Sequence, residues 1–466
     1  MKPITVAQIA KAVGGTLIFG TEEAQVSDVI IDSRQAHEGA LFVPIIGERV
    51  DAHRFIPDVM AAGASCTFTS KKDVTCEKGA GIYVEDTLDA LQKLAAWYRR
   101  MFEIPVVGIT GSVGKTTTKE MISAVLEKKF STVKTIGNLN SQIGVSLMMF
   151  HLEETTQMAV IEMGISMPGE MDRLVEIARP TTAVLTNVGV SHIGNLGSRE
   201  NICREKTKII KNIPDQGTLY VCGNGDLEEM SKNCIPYEIN PHDIATRYYG
   251  MNPSFAYYAS DLTVSDGKQN FVFHCPEGEW PVELRVMGEH NVNNAVIAMA
   301  IGLQYGVDPE QAAEALREYE PIAMRGVIKK AHGVSVIDDT YNASPDSINS
   351  NIHAMFSYGE GRKIAVLADV LELGERSEKL HEGIGRYIAE EASKGNTLSV
   401  VVSVGDESRF ITDYVSEHTP IEAHHFEEKT SAIAFLKDIL KPGDWVLVKG
   451  SRGMHMDEVV EQLTKE

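Results

Sequence analysis

Short apolar runs punctuate the chain, and their pattern changes near residue 104 and again near residue 320. Before the first change, β-type runs at Val26 to Ile31 and Ala40 to Pro44 alternate with helix-like pieces. They end in a helical run from Leu88 to Phe102, so residues 1–103 read as a small mixed α/β domain. From 104 to 319 the runs are continuous: Ile104-Pro105-Val106-Val107-Gly108-Ile109, Met158-Ala159-Val160-Ile161 ending at Glu162, and Ala183-Val184-Leu185-Thr186 ending at Asn187. Such runs are strands buried on both faces, and their alternation with helical stretches predicts a mainly parallel sheet covered by helices. After 320 the alternation restarts with strands at Val334 to Ile337, Ile364 to Leu367, Val400 to Val404 and Trp445 to Val448. Residues 320–466 therefore form a third α/β unit of Rossmann-like type.

Composition bounds the chemistry. The 466 residues, 43% hydrophobic and 23% charged, suffice for several separate cores. A net charge of −21 argues against a general electrostatic grip on nucleic acid or an anionic membrane, so anionic ligands must be held by local devices. Six cysteines stand without a Cys-x-x-Cys pair, which points to neither a zinc site nor a disulfide framework and fits a reducing compartment. Met1-Lys2-Pro3-Ile4-Thr5 leads into a polar amphipathic stretch, and no run approaches the ~20 apolar residues of a membrane span. The expected address is the cytoplasm.

Between the first central strand and a helix with apolar Met121, Ile122, Val125, Leu126 and Phe130 at helical spacing stands Thr110-Gly111-Ser112-Val113-Gly114-Lys115-Thr116-Thr117. Two glycines let the backbone turn so that its N–H groups converge on phosphate oxygens, and the helix N-terminus adds a positive dipole end. Lys115 supplies full charge and Thr116 a magnesium ligand. The longer phosphate-loop pattern would put glycine where Ile109 stands, so the match is to the shorter Gly-x-x-Gly-Lys-Thr form. The plainer alternative is a glycine-rich turn before a helix.

Ligands of open α/β sheets gather beyond the carboxyl ends of strands, where Glu162 and Asn187-Val188-Gly189-Val190-Ser191-His192 stand. Magnesium takes few protein oxygens, so Thr116 and Glu162 with phosphate and water suffice, whereas His192 reads equally as a hydrogen-bonded loop histidine. Asp338-Asp339 closes a strand of the third unit, where a carboxylate holds ribose hydroxyls or merely caps a turn. Gly288-Glu289-His290-Asn291-Val292-Asn293-Asn294-Ala295 opens a long apolar helix whose amides suit an adenine edge or a helix cap.

Assembled, these residues resemble the Mur ligases over essentially the whole chain. The family-wide motifs are Thr110 to Thr117, Glu162-Met163-Gly164, Ser191-His192-Ile193 and His290-Asn291-x-x-Asn294. Asp339-Thr340-Tyr341-Asn342-Ala343-Ser344-Pro345-Asp346-Ser347, Leu371-Glu372-Leu373-Gly374 and Val448-Lys449-Gly450-Ser451-Arg452-Gly453-Met454 resemble the branch that joins D-alanyl-D-alanine to UDP-N-acetylmuramoyl-tripeptide. Asp32-Ser33-Arg34 and the stretch from Leu41 through Gly47-Glu48-Arg49 to Ile56 resemble a UDP-sugar segment. The Asp-Asn-Pro-Arg motif of the diaminopimelate-adding branch is missing. The resemblance implies three domains: an N-terminal UDP-binding domain over 1–103, a central ATPase-like domain over 104–319, and a C-terminal Rossmann-like domain over 320–466.

It also implies roles. Thr110, Gly111, Ser112, Val113, Gly114, Lys115, Thr116 and Thr117 hold the ATP phosphates. Asn291 and Asn294 contact adenine, Asp339 contacts ribose, and Arg325 reaches ATP from the third domain. Thr116 and Glu162 serve one magnesium and His192 a second metal, helped by Lys206 if carbamylated. Read bare, Lys206 is a solvated helix lysine with Lys208 as its rival. Ser33, Arg34, Gly47 and Arg49 face the UDP-sugar; Asn138 and Asn140 line the peptide; Tyr341, Asn342 and Ser451 complete the substrate site. Ser141 and Ser344 stand where many relatives carry Asn, and Ala368 where Gly is common. The implied protein is a cytoplasmic, monomeric, ATP- and Mg2+-dependent ligase of cell-wall peptidoglycan synthesis, serving cell shape and division. No nucleic-acid partner and no stable membrane insertion are expected. Two readings compete: a Mur-type or polyglutamate-type ligase with another amine acceptor, and a non-catalytic nucleotide-controlled partner protein.

Overall fold

Strand pairing divides the chain. The computed structural model describes residues 1–47, 49–215, 217–235, 244–265 and 267–465, and Glu48 of the N-terminal motif lies outside them. Among the described residues, the first main sheet runs Thr16–Phe19, Ala80–Tyr83, Cys66–Thr69, Ala40–Phe42, Asp28–Ile30, parallel except for the first strand. The apolar run Val26 to Ile31 is two strands, not one. Gln25–Val26 pairs antiparallel with Ile4–Thr5, and Asp28–Ile30 joins the larger sheet, because Ser27 turns the chain by donating to Gly39 O at 2.8 Å. The helix Thr87–Arg99 starts at Asp86, whose carboxylate accepts from the N–H groups of Leu88 and Asp89, a side-chain cap for its otherwise unpaired donors.

The second sheet has nine strands in the order Thr132–Lys134, Met158–Glu162, Val106–Thr110, Thr182–Leu185, Thr218–Cys222, Ala245–Gly250, Tyr257–Ser265, Lys268–Cys275, Gly278–Leu284. All neighbours are parallel except the last two pairs. Period-2 alternation explains its two cores. Ala159, Ile161, Ala183 and Leu185 face the helices Thr87–Arg99, Gln142–Met149 and Glu170–Ala178, whereas Val107, Ile109, Val160 and Val184 face Lys115–Glu127 and Glu289–Gln304. The sequence reading placed no strand between 218 and 284. From Ala245–Gly250 onward those strands are half-buried, so their apolar residues alternate with polar ones, as in Tyr257–Ser265, and the continuous-run signal is absent; Thr218–Cys222 is buried throughout. Gly302 lets Glu289–Gln304 lie against Lys115–Glu127, since a Cβ there would stand 2.5 Å from Val125 Cγ1.

The third sheet runs Val327–Ala331, Val334–Asp339, Trp445–Lys449, Lys363–Ala368, Val400–Val404, Glu422–Phe426, parallel except for the first strand. Val334–Asp339 runs two residues beyond its apolar stretch, so Asp338 and Asp339 are paired strand residues. Ser141 and Ser344 cap the helices Gln142–Met149 and Pro345–Met355, accepting from Gly144 N–H and Ser347 N–H. No helix among the described residues is long and apolar enough to cross a membrane.

Candidate active site

The strand Val106–Thr110 ends at the phosphate loop, and the helix Lys115–Glu127 begins at Gly114, whose φ of 85° is left-handed. Neighbouring strand Thr182–Leu185 delivers Thr186 and Asn187 beside it. Thr186 Oγ1 donates to Val113 O at 2.6 Å, Asn187 Oδ1 accepts from Val113 N–H at 2.7 Å, and Ser112 N–H donates to Asn187 O at 3.1 Å. Gly111 is required by this clamp, because a Cβ would sit 1.9 Å from Thr186 Oγ1. Lys115 Nζ donates to Gly111 O at 2.8 Å. Burial pulls Lys115 below the usual lysine range against the attraction of Glu162, while Arg325 pushes it the same way as burial.

Glu162 ends the next strand and is 2% exposed. Its Oε1 accepts from Asn140 Nδ2 at 2.7 Å, and its Oε2 is buried without a hydrogen-bond partner, as is Thr110 Oγ1. A buried carboxylate oxygen without a partner, on a residue that lines the same cavity as Thr116, fits a hard divalent cation. Among the described residues no cluster of three or more His, Cys, Asp or Glu could cage a metal, so phosphate and water would complete its shell, as magnesium prefers.

His192 heads the short helix Ile193–Leu196 at φ 60°, with Nδ1 2.6 Å from Glu372 Oε2. Burial lowers its pKa against the pull of Glu372. Lys206 is 2% exposed, and its Nζ donates to Gly111 O at 3.1 Å, the carbonyl that also receives Lys115. Burial, then the charge of Lys115, holds Lys206 well below the usual lysine range. Lys208 is committed elsewhere, to Glu205 at 2.7 Å and Asp172 at 3.0 Å. Of the two lysines, the buried one is thus the one whose environment favours the neutral amine, the form that can act as a nucleophile.

Facing the loop across a cavity of about 410 Å³ are residues of the third sheet. The Arg325 guanidinium stacks 4.0 Å from the Tyr341 ring centroid. Asp339 Oδ2 accepts from both Lys449 Nζ and Asn351 Nδ2, which leaves Oδ1 for another donor, and Lys449 also donates to Asn342 O at 2.9 Å. Asp338 takes the local role instead, accepting from Thr340 Oγ1 at 2.7 Å and pairing with Lys329. From the long helix, Asn294 Oδ1 accepts from Thr118 Oγ1 at 2.9 Å, and its Nδ2 donates to Asn291 Oδ1 at 3.2 Å. Burial pulls His290 down to about 4, against the attraction of nearby Asp339.

Thr110, Gly111, His192 and Lys206 are not among the residues lining the cavity, and neither are the remaining expected residues. Ser33 and Arg34 lie on a turn capped by Asp32, whose carboxylate is held at about 2 by its bonds to Arg34, and the Arg34 side chain is exposed. Gly47 and Arg49 sit on an exposed turn that Gly47 N–H closes onto Val50 O at 2.9 Å. Asn138 is exposed too. Ser451 is an internal brace, accepting from Leu371 N–H at 2.9 Å and donating its own N–H to Asp369 O at 3.2 Å.

Models of the Mur ligase family match in chain order: the family's catalytic domain over residues 25–99, its middle domain over 109–302 and its glutamate ligase domain over 324–452. The chain is 36% identical to the UDP-N-acetylmuramoyl-tripeptide--D-alanyl-D-alanine ligase of Bacillus subtilis, covering 98% of each sequence. The chain belongs to the Mur ligase family. Among solved structures, MurF from Acinetobacter baumannii superposes on this Mur ligase with a TM-score of 0.90 at 30% identity over the whole of both chains. MurF from Thermotoga maritima, in complex with ADP, gives 0.82 at 28% identity, covering 94% of this chain and 97% of that one. This Mur ligase is thus a three-domain, ATP-dependent amide-bond-forming enzyme.

Several cavity residues were missed from the sequence of this Mur ligase. In the sequence Thr186 and Asn187 read as a strand end and not as the loop's clamp, and Lys449 stands in a family-like motif that gives it no individual role. The strand-end rule reaches Lys449, which pairs in register with Asp339. Asn351 is a mid-helix residue that no local pattern marks, whereas Asn293, with a buried unpartnered Oδ1, belongs to the amide-rich segment opening its helix but carries no individual role there.

Proposed function

We propose that this Mur ligase joins D-alanyl-D-alanine to UDP-N-acetylmuramoyl-tripeptide with ATP turnover to ADP and phosphate, a cytoplasmic step of peptidoglycan precursor synthesis. We assign residues 1–103 to the UDP-sugar, 104–319 to ATP and 320–466 to the incoming dipeptide, in a monomer. The observation that carries the reading is the cavity walled by the phosphate loop on one sheet and by Arg325, Asp339, Tyr341 and Asn342 on another. A nucleotide between them touches both domains.

A carboxylate does not couple to an amine because its oxygen leaves poorly. ATP's γ-phosphoryl group therefore moves first onto the tripeptide's terminal carboxylate, giving an acyl phosphate. Loop N–H groups, Lys115 and Arg325 face the charge spread during that transfer, which is mainly a matter of positioning and electrostatics. The Lys115 ammonium, resting on Gly111 O, exchanges that carbonyl for a phosphate oxygen. Thr116 and Glu162 are the residues to hold Mg2+, with His192 and carbamylated Lys206 at a second position; a bound Mg2+ supplies Lewis-acid charge neutralisation. The free amine of the dipeptide then attacks the acyl carbonyl, and the tetrahedral oxyanion collapses with loss of phosphate. Asn291 and Asn294 suit the adenine edge and Asp339 Oδ1 a ribose hydroxyl, while Ser33, Arg34, Gly47, Arg49, Asn138 and Asn140 are assigned to the UDP-sugar peptide.

The test is a panel of amines with product mass and phosphate release. D-alanyl-D-alanine is expected to support turnover above single amino acids, and Lys115→Ala to abolish it. Preference for another amine refutes the acceptor, and near-normal turnover by Lys115→Ala refutes the loop assignment.

A further inference from the structure

The ring of His192 is held from another domain. His192 belongs to the central domain, at φ 60°, and its hydrogen-bond partner Glu372 belongs to the third, at φ 65°. Two non-glycine residues in left-handed backbone thus face each other across a domain boundary, a geometry that persists only where the surroundings enforce it. Enforcement is visible on both sides. Gly194 admits the incoming loop, since a Cβ there would stand 3.1 Å from Glu372 O and 3.3 Å from Gly374 N. The loop itself is pinned to the third sheet: Ser451 Oγ accepts from Leu371 N–H at 2.9 Å, and His381 Nε2 accepts from Val370 N–H at 3.0 Å. Two residues from His192, Val190 N–H donates to Asp346 Oδ2 of the third domain at 2.9 Å.

We infer that Glu372 is a positioning residue for His192: docking of the third domain brings its carboxylate onto Nδ1, fixes the ring and tautomer, and leaves Nε2 as the cation-binding nitrogen. The reasoning rests on the proposed reading of His192 as a ligand for the divalent cation. Metal-binding histidines characteristically donate their other ring nitrogen to a carboxylate, which orients the ring and raises its basicity. Here that carboxylate arrives only when the nucleotide cavity closes, so completion of the cation site and domain docking become one event. A rim ion pair without this role would contribute little, because Glu372 is largely exposed.

The experiment measures Mn2+ affinity of the ADP complex by electron paramagnetic resonance in the full-length wild type, Glu372→Ala, Glu372→Gln, His192→Ala and the double alanine variant. Glu372→Ala is expected to weaken Mn2+ binding by about 10- to 100-fold, the usual effect of losing a carboxylate behind a metal-bound histidine. Glu372→Gln is expected within about threefold of wild type, because its amide oxygen still accepts from Nδ1–H. Added to His192→Ala, Glu372→Ala should cost nothing further, since it acts through the ring. Unchanged Mn2+ affinity in Glu372→Ala, a loss in Glu372→Gln equal to that in the alanine variant, or an additive loss in the double variant overturns the inference. If His192→Ala itself binds Mn2+ normally, the ligand reading of His192 fails and takes the inference with it; melting curves with ADP alone confirm that each variant is folded.

Discussion

Replacing Thr186 by valine changes one atom at the back of the phosphate loop. The side chain is buried at 6% exposure, and its hydroxyl donates to Val113 O at 2.6 Å. Valine keeps the shape but puts a methyl where the hydroxyl oxygen stood, which both removes the donor and crowds the carbonyl. Val113 O is part-buried, and leaving such an acceptor unpaired costs up to about 1–3 kcal/mol. If that cost falls on the nucleotide-competent loop, ADP affinity drops roughly 5- to 150-fold, at ~1.4 kcal/mol per factor of ten. Titration calorimetry with ADP reads it directly. Thr186→Ser retains the hydroxyl and should bind within about twofold of wild type, since the 1–3 kcal/mol loss does not apply. The reasoning fails if valine binds ADP like wild type, or if serine is as weak as valine.

The two lysines of the helix Arg199–Thr207 and its extension should separate cleanly in phosphate release. Lys206→Ala is expected to lose at least about 100-fold, as the removal of a buried charged-site partner does, and Lys208→Ala only a few-fold; similar losses in both would refute the assignment. Acid sensitivity follows from His290, whose folded pKa of about 4 lies below the ordinary 6.5. The unfolded chain binds the proton first, so stability from this group is complete above pH 6.5 and is lost as pH falls toward 4. Between pH 7 and pH 5 the loss is at most about 2 kcal/mol, and denaturant melts of His290→Gln should be flatter by that amount; an unchanged slope would contradict it.

How much of the site was legible depended on whether its signal was local. The phosphate loop needs a strand, two glycines, a lysine and a helix in one short stretch, and all of those are sequence neighbours. Glu162 and Asp339 were legible through the rule that strand ends carry ligands, applied to buried apolar runs. Asn351 and Thr186 were not, because each acts through a partner far along the chain, Asn351 on Asp339 and Thr186 on Val113. The half-buried strands from Ala245–Gly250 to Gly278–Leu284 escaped because amphipathic alternation is weaker than a continuous apolar run.

Sequence alone therefore determined the kind of chemistry: residue types and spacing specify a phosphate loop, an acidic strand end and three α/β units, since hydrophobic periodicity and loop composition are local properties. Residue types and spacing left open which of Asp338 and Asp339, and which of Lys206 and Lys208, turns inward, and only the family resemblance pointed to Asp339 and Lys206. Only the tertiary structure decided those. Strand register sends Asp339 to Lys449 and the cavity while Asp338 pairs with Lys329, and helix packing buries Lys206 against Gly111 O while Lys208 stays with Glu205 and Asp172. Facing direction is set by which neighbour a side chain packs against, and in each pair that neighbour is supplied by another part of the chain.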